Sequence, residues 1–236
     1  MDWKPLLGLP LWFWLFVLPS LFCVVCYLLR HVIRPVLRPV WFLLNGVYTA
    51  SGVLAAVFMV MILVIIVAQM VCRWLGLVFP GSTDFAGYAM AATSFFALAH
   101  ALNRGAHIRV SILLNLNKYT RFWLDAFAML VGALTATYFA RYAIKTNIFS
   151  EMLNDRTQGL DKVPEKLVAI FKMIGSAPSQ WAELWQKAGS DWVFTPIWVP
   201  QLAMSFGTVL LAIALWDNLV RLLVNGQTSI VRETVE

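Results

Sequence analysis

Cys23 and Cys26 stand three apart, a spacing that can chelate zinc or form a redox pair. Both chemistries need more than the sequence offers, either further Cys or His ligands nearby or a soluble redox fold. The pair therefore reads as small residues filling a helix surface. With Cys72 as the only other cysteine, a disulfide scaffold is excluded. His100 is the one histidine inside an apolar run, whereas His31 and His107 fall in connectors. A b-type haem needs two axial histidines on facing helices, which this distribution does not supply. Ser94 precedes His100, but nothing beside the two activates a nucleophile. Asp84, Arg104, Asp125, Arg141 and Asp217 fall near the ends of apolar runs, where a charge acts as an interfacial anchor or a cap. Ion transport through a bilayer leaves ionisable residues inside the spans, and these are too few to mark a path.

The elements that position these residues follow from composition. Apolar residues make up 61% of the 236, and charged residues only 13%. Soluble domains carry about 25% charged residues. So little charge cannot cover a water-facing surface, and the mean hydropathy of +0.75 agrees. The net charge of +6 comes from 18 Lys+Arg against 12 Asp+Glu. Seven of the 18 basic residues sit in two short connectors between apolar runs, which writes membrane topology and gives no reason to expect nucleic acid as a partner.

A spanning helix needs about 20 mostly apolar residues. Runs of that kind cover 11–29, 46–72, 85–103, 122–142 and 198–223. From Val40 to Phe79 only Arg73 is charged, and one helix over that stretch would measure about 60 Å. Asn45-Gly46 is therefore expected to break it, with Trp41 and Trp74 at the membrane interfaces. The first run lacks a basic start and a small-residue cleavage site, and Arg30, His31 and Arg34 follow it directly. It reads as an extra helix, with Pro19 as a kink point, rather than as a signal peptide. The fold class is an all-α integral membrane protein of about five transmembrane helices plus interfacial amphipathic helices. Residues 1–40 hold the extra helix and a basic connector, and 41–236 form a four-helix domain with an enlarged outer connector at 143–196.

Segment 30–40 contains Arg30, Arg34 and Arg38, and segment 104–121 contains Arg104, Arg109, Lys118 and Arg121, neither with an acid. Both are expected to be cytoplasmic. The 143–196 connector is then outside, the C-terminus inside and the N-terminus periplasmic. Apolar residues at Ile108, Ile112, Leu113, Leu116 and Tyr119 have the spacing of an amphipathic helix in the cytoplasmic interface. A similar pattern at Leu167, Ile170, Phe171 and Ile174, then at Trp181, Leu184 and Trp185, predicts two pieces divided by Gly175 and Pro178. These rest on the outer membrane surface or on a partner. Ala128, Gly132, Ala136 and Ala140 recur every four residues. That stripe either lets a helix approach closely or reflects the general abundance of alanine in membrane helices.

Arg73-Trp74, Asp84 at a helix opening, and the run Ala101 to Val110 with its Gly105-Ala106-His107-Ile108-Arg109-Val110 core resemble the DctQ-like small membrane subunit of TRAP transporters. Pro196 to Gln201 followed by Gly207 is similar to the start of that family's last helix. The resemblance covers roughly 45–223. Asp84 replaces the usual Glu, Ser111 replaces a frequent Asp, and the extra first helix resembles a longer branch of the family. The resemblance implies a small, non-catalytic inner-membrane subunit that braces a large multi-span transport subunit. That large subunit would hold the solute and sodium, while a periplasmic binding protein delivers the solute, often an organic acid. It implies no cofactor in this chain, and shaping or anchoring roles for His107, Arg109 and Arg104. Two other readings are a membrane anchor of a redox enzyme complex and a self-sufficient small transporter. The latter calls for polar, interrupted helices at the midplane, which the sequence does not display.

The basic segments generate a topology prediction. Reporter fusions placed after Arg38 and after Lys118 should both give a cytoplasmic signal, and a periplasmic signal at either would invert the assignment.

Overall fold

A computed structural model describes residues 5–6, 8–104 and 118–226. Four helices in it are long and apolar enough to cross a membrane. They belong to α2 (Arg30–Trp74), α3 (Ser82–Asn103), α4 (Lys118–Met152) and α7 (Trp198–Asn225). Before them, α1 (Leu18–Leu28) follows a π-helical turn at Phe13–Val17, with Pro19 in its first turn. The two make a continuous apolar helix of about 24 Å, shorter than a bilayer core of about 30 Å. Four helices of spanning length and one shorter apolar helix therefore stand where five spans were expected. Proline lacks an N–H and cannot close a normal α-turn. The wider turn accommodates this: Leu18 N–H donates to the Phe13 carbonyl, and the Ser20 hydroxyl to that of Phe16 at 2.7 Å.

α2 corrects the expected break at Asn45-Gly46. The helix runs unbroken for 45 residues, about 68 Å, and Pro35 and Pro39 lie inside it. The basic segment 30–40, expected as a connector, is thus the first part of this helix. Asn45 does not turn the chain because its groups are occupied in the helical conformation. Its carbonyl accepts from Thr49 Oγ1 at 2.9 Å, and its side-chain oxygen from Arg221. Gly46 faces open space. α2 ends where Gly76, at φ +70°, lets Leu77 N–H reach the Cys72 carbonyl and Gly76 N–H reach that of Arg73. This is a Schellman cap, so the Arg73 carbonyl is bound while its side chain is exposed.

α4 corrects a second boundary, continuing ten residues beyond the expected Tyr142 to Met152. Its buried face simply goes on at helical spacing through Ala143, Asn147 and Ser150. Asn147 Nδ2 donates to the Trp198 carbonyl at 2.7 Å, and Ser205 Oγ to the Ala143 carbonyl at 3.2 Å. Asn154 then takes a left-handed φ of +52° and closes the helix by the same type of cap.

The chain divides into two compact units, and each long helix contributes to both. One comprises 1–54, 96–142 and 206–236, and the other 55–95 and 143–205. In the first, Cys23 and Cys26 of α1 pack with Ala126, Met129, Leu219 and Leu222. Tyr48, Ala99, Leu102 and Ala214 form a second core there. Ala136 and Ala140 meet Ala212 in a third. In the second unit, α5 (Glu165–Ile174) and α6 (Trp181–Lys187) match the two amphipathic pieces expected from sequence. Strand β3 (Lys162–Pro164) pairs antiparallel with β4 (Trp192–Phe194), Val163 facing Val193. They are numbered after a short N-terminal pair in the first unit, β1 (Pro5–Leu6) and β2 (Leu9–Pro10). Val163, Val168 and Trp198 make the core of the second unit, with Phe85 and Phe171 against it.

The small-residue contact of α4 is internal, and its period differs from four. Each four-residue step advances a helix by 400°, so a strict every-fourth stripe drifts about 40° per step. Ala136 and Ala140 are buried and Gly132 lies beside Leu215, but Ala128 has drifted into exposure. The buried line is Ala126, Met129, Ala133, Ala136, Ala140 and Ala143. Ala133→Leu should therefore destabilise the fold by about 1–3 kcal/mol through overpacking. Ala128→Leu should leave thermal unfolding of the purified protein close to wild type. Equal effects would contradict this facing.

Candidate functional site

Two polar clusters, one in each unit, hold the groups with chemical potential. In the first unit, Asp217 and Arg221 lie one turn apart on α7, with carboxylate and guanidinium 2.8 Å apart. Both side chains are nearly inaccessible, at 5% and 11% exposure. Tyr48 Oη on α2 donates to Asp217 Oδ2 at 3.3 Å. Arg221 Nη2 donates to Asn45 Oδ1 at 2.9 Å, and the guanidinium lies 5.5 Å from the Trp41 ring centroid. The ion pair is thus surrounded by α2 groups, among them Trp41 and Asn45, which the sequence alone reads as an interface residue and a break point.

α3 joins the same cluster. His100 Nδ1 lies 3.2 Å from the Tyr48 carbonyl. A carbonyl can only accept, so Nδ1 carries the proton. The imidazole rests on Gly52, where an added Cβ would come within 2.6 Å of its Cγ. Glycine is required there by the ring's closeness. Ser51 Oγ donates to the Phe96 carbonyl. Asn218 Nδ2 donates to Asn103 Oδ1 at 2.7 Å and to the Ala214 carbonyl at 2.8 Å. These contacts occupy one His100 nitrogen and close the cluster on itself. Asp217 does not act as an end anchor, because α7 continues past it to Asn225 and α2 covers it.

In the second unit the centre is Asp161, which is fully buried. Tyr88 Oη of α3 donates to its carboxylate at 2.6 Å, and Thr157 Oγ1 bridges both oxygens at 2.8 Å. Thr195 Oγ1 and N–H donate to its backbone carbonyl at 2.5 and 3.2 Å. Asp84, in the first turn of α3, accepts Leu160 N–H at 3.3 Å. It therefore holds a remote loop instead of capping its own helix. Gly81 has φ +73°, and a Cβ there would meet the Asp161 Cα at 2.7 Å and the Leu160 carbonyl oxygen at 2.8 Å. This loop comes so close to α3 that only glycine fits. Burial disfavours the Asp161 anion, but the Tyr88 and Thr157 hydrogen bonds outweigh it and hold the carboxyl below its ordinary range.

Of the residues singled out by sequence, Asp84 is drawn into the Asp161 cluster. Arg104 is exposed directly after α3, where its N–H donates to the His100 carbonyl. Arg73 is exposed in the last turn of α2. His107 and Arg109 lie outside the described residues, as does nearly all of the amphipathic pattern beginning at Ile108. The last members of that pattern, Lys118 and Tyr119, belong to α4. Asp161 and Tyr48 were missed. Asp217 and Arg221 carried a readable signal in their i,i+4 acid-base spacing. Asp161 carried none, because Tyr88 and Thr195 are remote in sequence. Among the described residues no group of His, Cys, Asp and Glu is arranged to hold a metal ion. Both clusters have the chemistry of ties between elements, their carboxylates held by donors of the same chain.

A family model described as "Tripartite ATP-independent periplasmic transporters, DctQ component" matches residues 61–178, half of the chain. No curated protein and no solved structure matches. The matched segment includes Tyr88, Asp84 and Asp161, and ends before Asp217.

The Asp161 cluster gives a pH prediction with a definite sign. Its carboxyl pKa is lower folded than unfolded, so it stabilises the fold above the unfolded value of about 4. That contribution disappears as pH falls through the folded value. Hydrogen-exchange protection of 157–195 should therefore drop on acidification below about pH 4, and Asp161→Asn should lack that step. Asp161→Ala should cost about 1–3 kcal/mol by leaving Tyr88 and Thr157 without their acceptor. A protection profile identical in wild type and Asp161→Asn would refute the assignment.

Proposed function

The chain belongs to the DctQ family, the small membrane component of tripartite ATP-independent periplasmic transporters, and from that premise we propose that it braces the large transport subunit during solute uptake. It is a multi-pass inner-membrane protein. In the proposed assembly a periplasmic binding protein delivers the solute, an organic acid, and the large subunit binds and moves it with a coupling sodium ion. This chain is non-catalytic, needs no cofactor and presents a fixed surface.

The observation carrying this reading is how the buried polar side chains are used. Asp217, Arg221, Tyr48 and His100 bond to one another or to backbone within the first unit. A moving binding site leaves polar groups free to take a solute, whereas these are committed to holding helices together. The exposure of α2 supports a bracing role. Its most apolar stretch is 11% buried, against 33% for α7, so it has the more surface to give to a large neighbour or to lipid. In the proposed orientation the 30–40 and 104–121 segments are cytoplasmic and the outer connector is periplasmic. Residues 1–40 are an addition to the four-helix domain of 41–236.

The chain should co-purify with a much larger multi-span protein. Proteoliposomes containing both, supplied with the binding protein and a sodium gradient, should accumulate solute. Vesicles containing this chain alone should not. Uptake by the chain alone would overturn the bracing role.

A further inference from the structure

A cavity of 490 Å³ lies between α1, α4 and α7, and no polar tie described above uses it. Cys23, Val24 and Tyr27 form one wall, Trp123 and Phe127 another, and Leu223 closes the back. The lining is almost wholly apolar. Val24 is 54% exposed and Phe127 63%, so the cavity opens sideways as a groove instead of being sealed in the bundle. At one end the Tyr27 and Trp123 rings lie 6.3 Å apart, both exposed. Such amphipathic rings suit the level of lipid headgroups.

That end is also basic. Arg30 opens α2 directly after the break at Leu29 that ends α1, three residues from Tyr27, and Arg34 follows one turn on in α2; both are exposed. An apolar slot ending in cationic side chains complements a molecule with an apolar tail and an anionic head. A methylene occupies about the volume of a liquid water, roughly 30 Å³, so the groove takes one chain of about 16 carbons.

We propose that this groove binds one acyl chain of an anionic membrane phospholipid, whose phosphate meets Arg30 and Arg34. α1 buries only Cys23 and Cys26 of its own side chains, so the lipid completes its packing on α4 and α7. The inference uses only this chain's surface and is independent of its role in transport.

The test uses the full chain in nanodiscs of phosphatidylcholine doped with phosphatidylglycerol brominated on its acyl chains. Quenching of Trp123, read as the difference between wild type and Trp123→Phe, should saturate at a low fraction of the brominated lipid. Arg30→Gln with Arg34→Gln should raise the half-saturating fraction on the order of ten-fold. Val24→Phe, which fills the groove from its exposed wall without adding a tryptophan, should abolish the saturable quenching without lowering co-purification with the large subunit. Equal quenching by brominated phosphatidylcholine would overturn the anionic preference. Unchanged quenching in Val24→Phe would overturn the site. A cysteine at position 24 that cross-links efficiently to the large subunit would show a protein occupant and also refute it.

Discussion

A charge removed from water must find its partner within the protein, and in the first unit the Asp217–Arg221 pair carries that demand. Removing one member of a buried pair leaves an uncompensated charge, at a typical cost of 3–5 kcal/mol. The pair is therefore stable only while α2 stays against α7, because Tyr48 and Asn45 add further hydrogen bonds to it. His100 and Ser51 extend the tie to α3 through main-chain carbonyls. In the first unit, three helices are thus held in one register by groups that would be costly to separate.

The Asp161 cluster applies the same constraint to the connector at 143–196. Its carboxylate and carbonyl take donors from α3, from Thr157 and from the start of the segment leading to α7. Gly81 and Gly159 allow the loop to approach so closely. A Cβ at Gly159 would come within 2.7 Å of Asp84 Oδ2. The two amphipathic helices α5 and α6 are consequently part of a packed unit with its own core around Trp198.

The legible parts of the fold were those with a local physical signal. Apolar run length gave the four spanning helices, and 3–4 spacing gave α5 and α6 on either side of Gly175 and Pro178. What could not be read depended on partners remote in sequence. Asn45-Gly46 has turn chemistry in isolation, but Arg221, far along the chain, uses Asn45 in a continuous helix. Asp217 resembled an end anchor until α2 was seen to cover it. Of the every-fourth stripe on α4, Ala136 and Ala140 are buried and Ala128 is exposed, because four residues overshoot a turn. Asp161 depends on Tyr88 and Thr195, which no sequence period connects to it.

The central claim is that these buried polar residues hold helices together and take no part in moving the solute. Asp217→Asn in the assembled, reconstituted transporter tests it most directly, with thermal stability and uptake per assembled complex measured on the same preparation. The account predicts a clear loss of stability with uptake per complex retained. A complex of wild-type stability that no longer transports would contradict it.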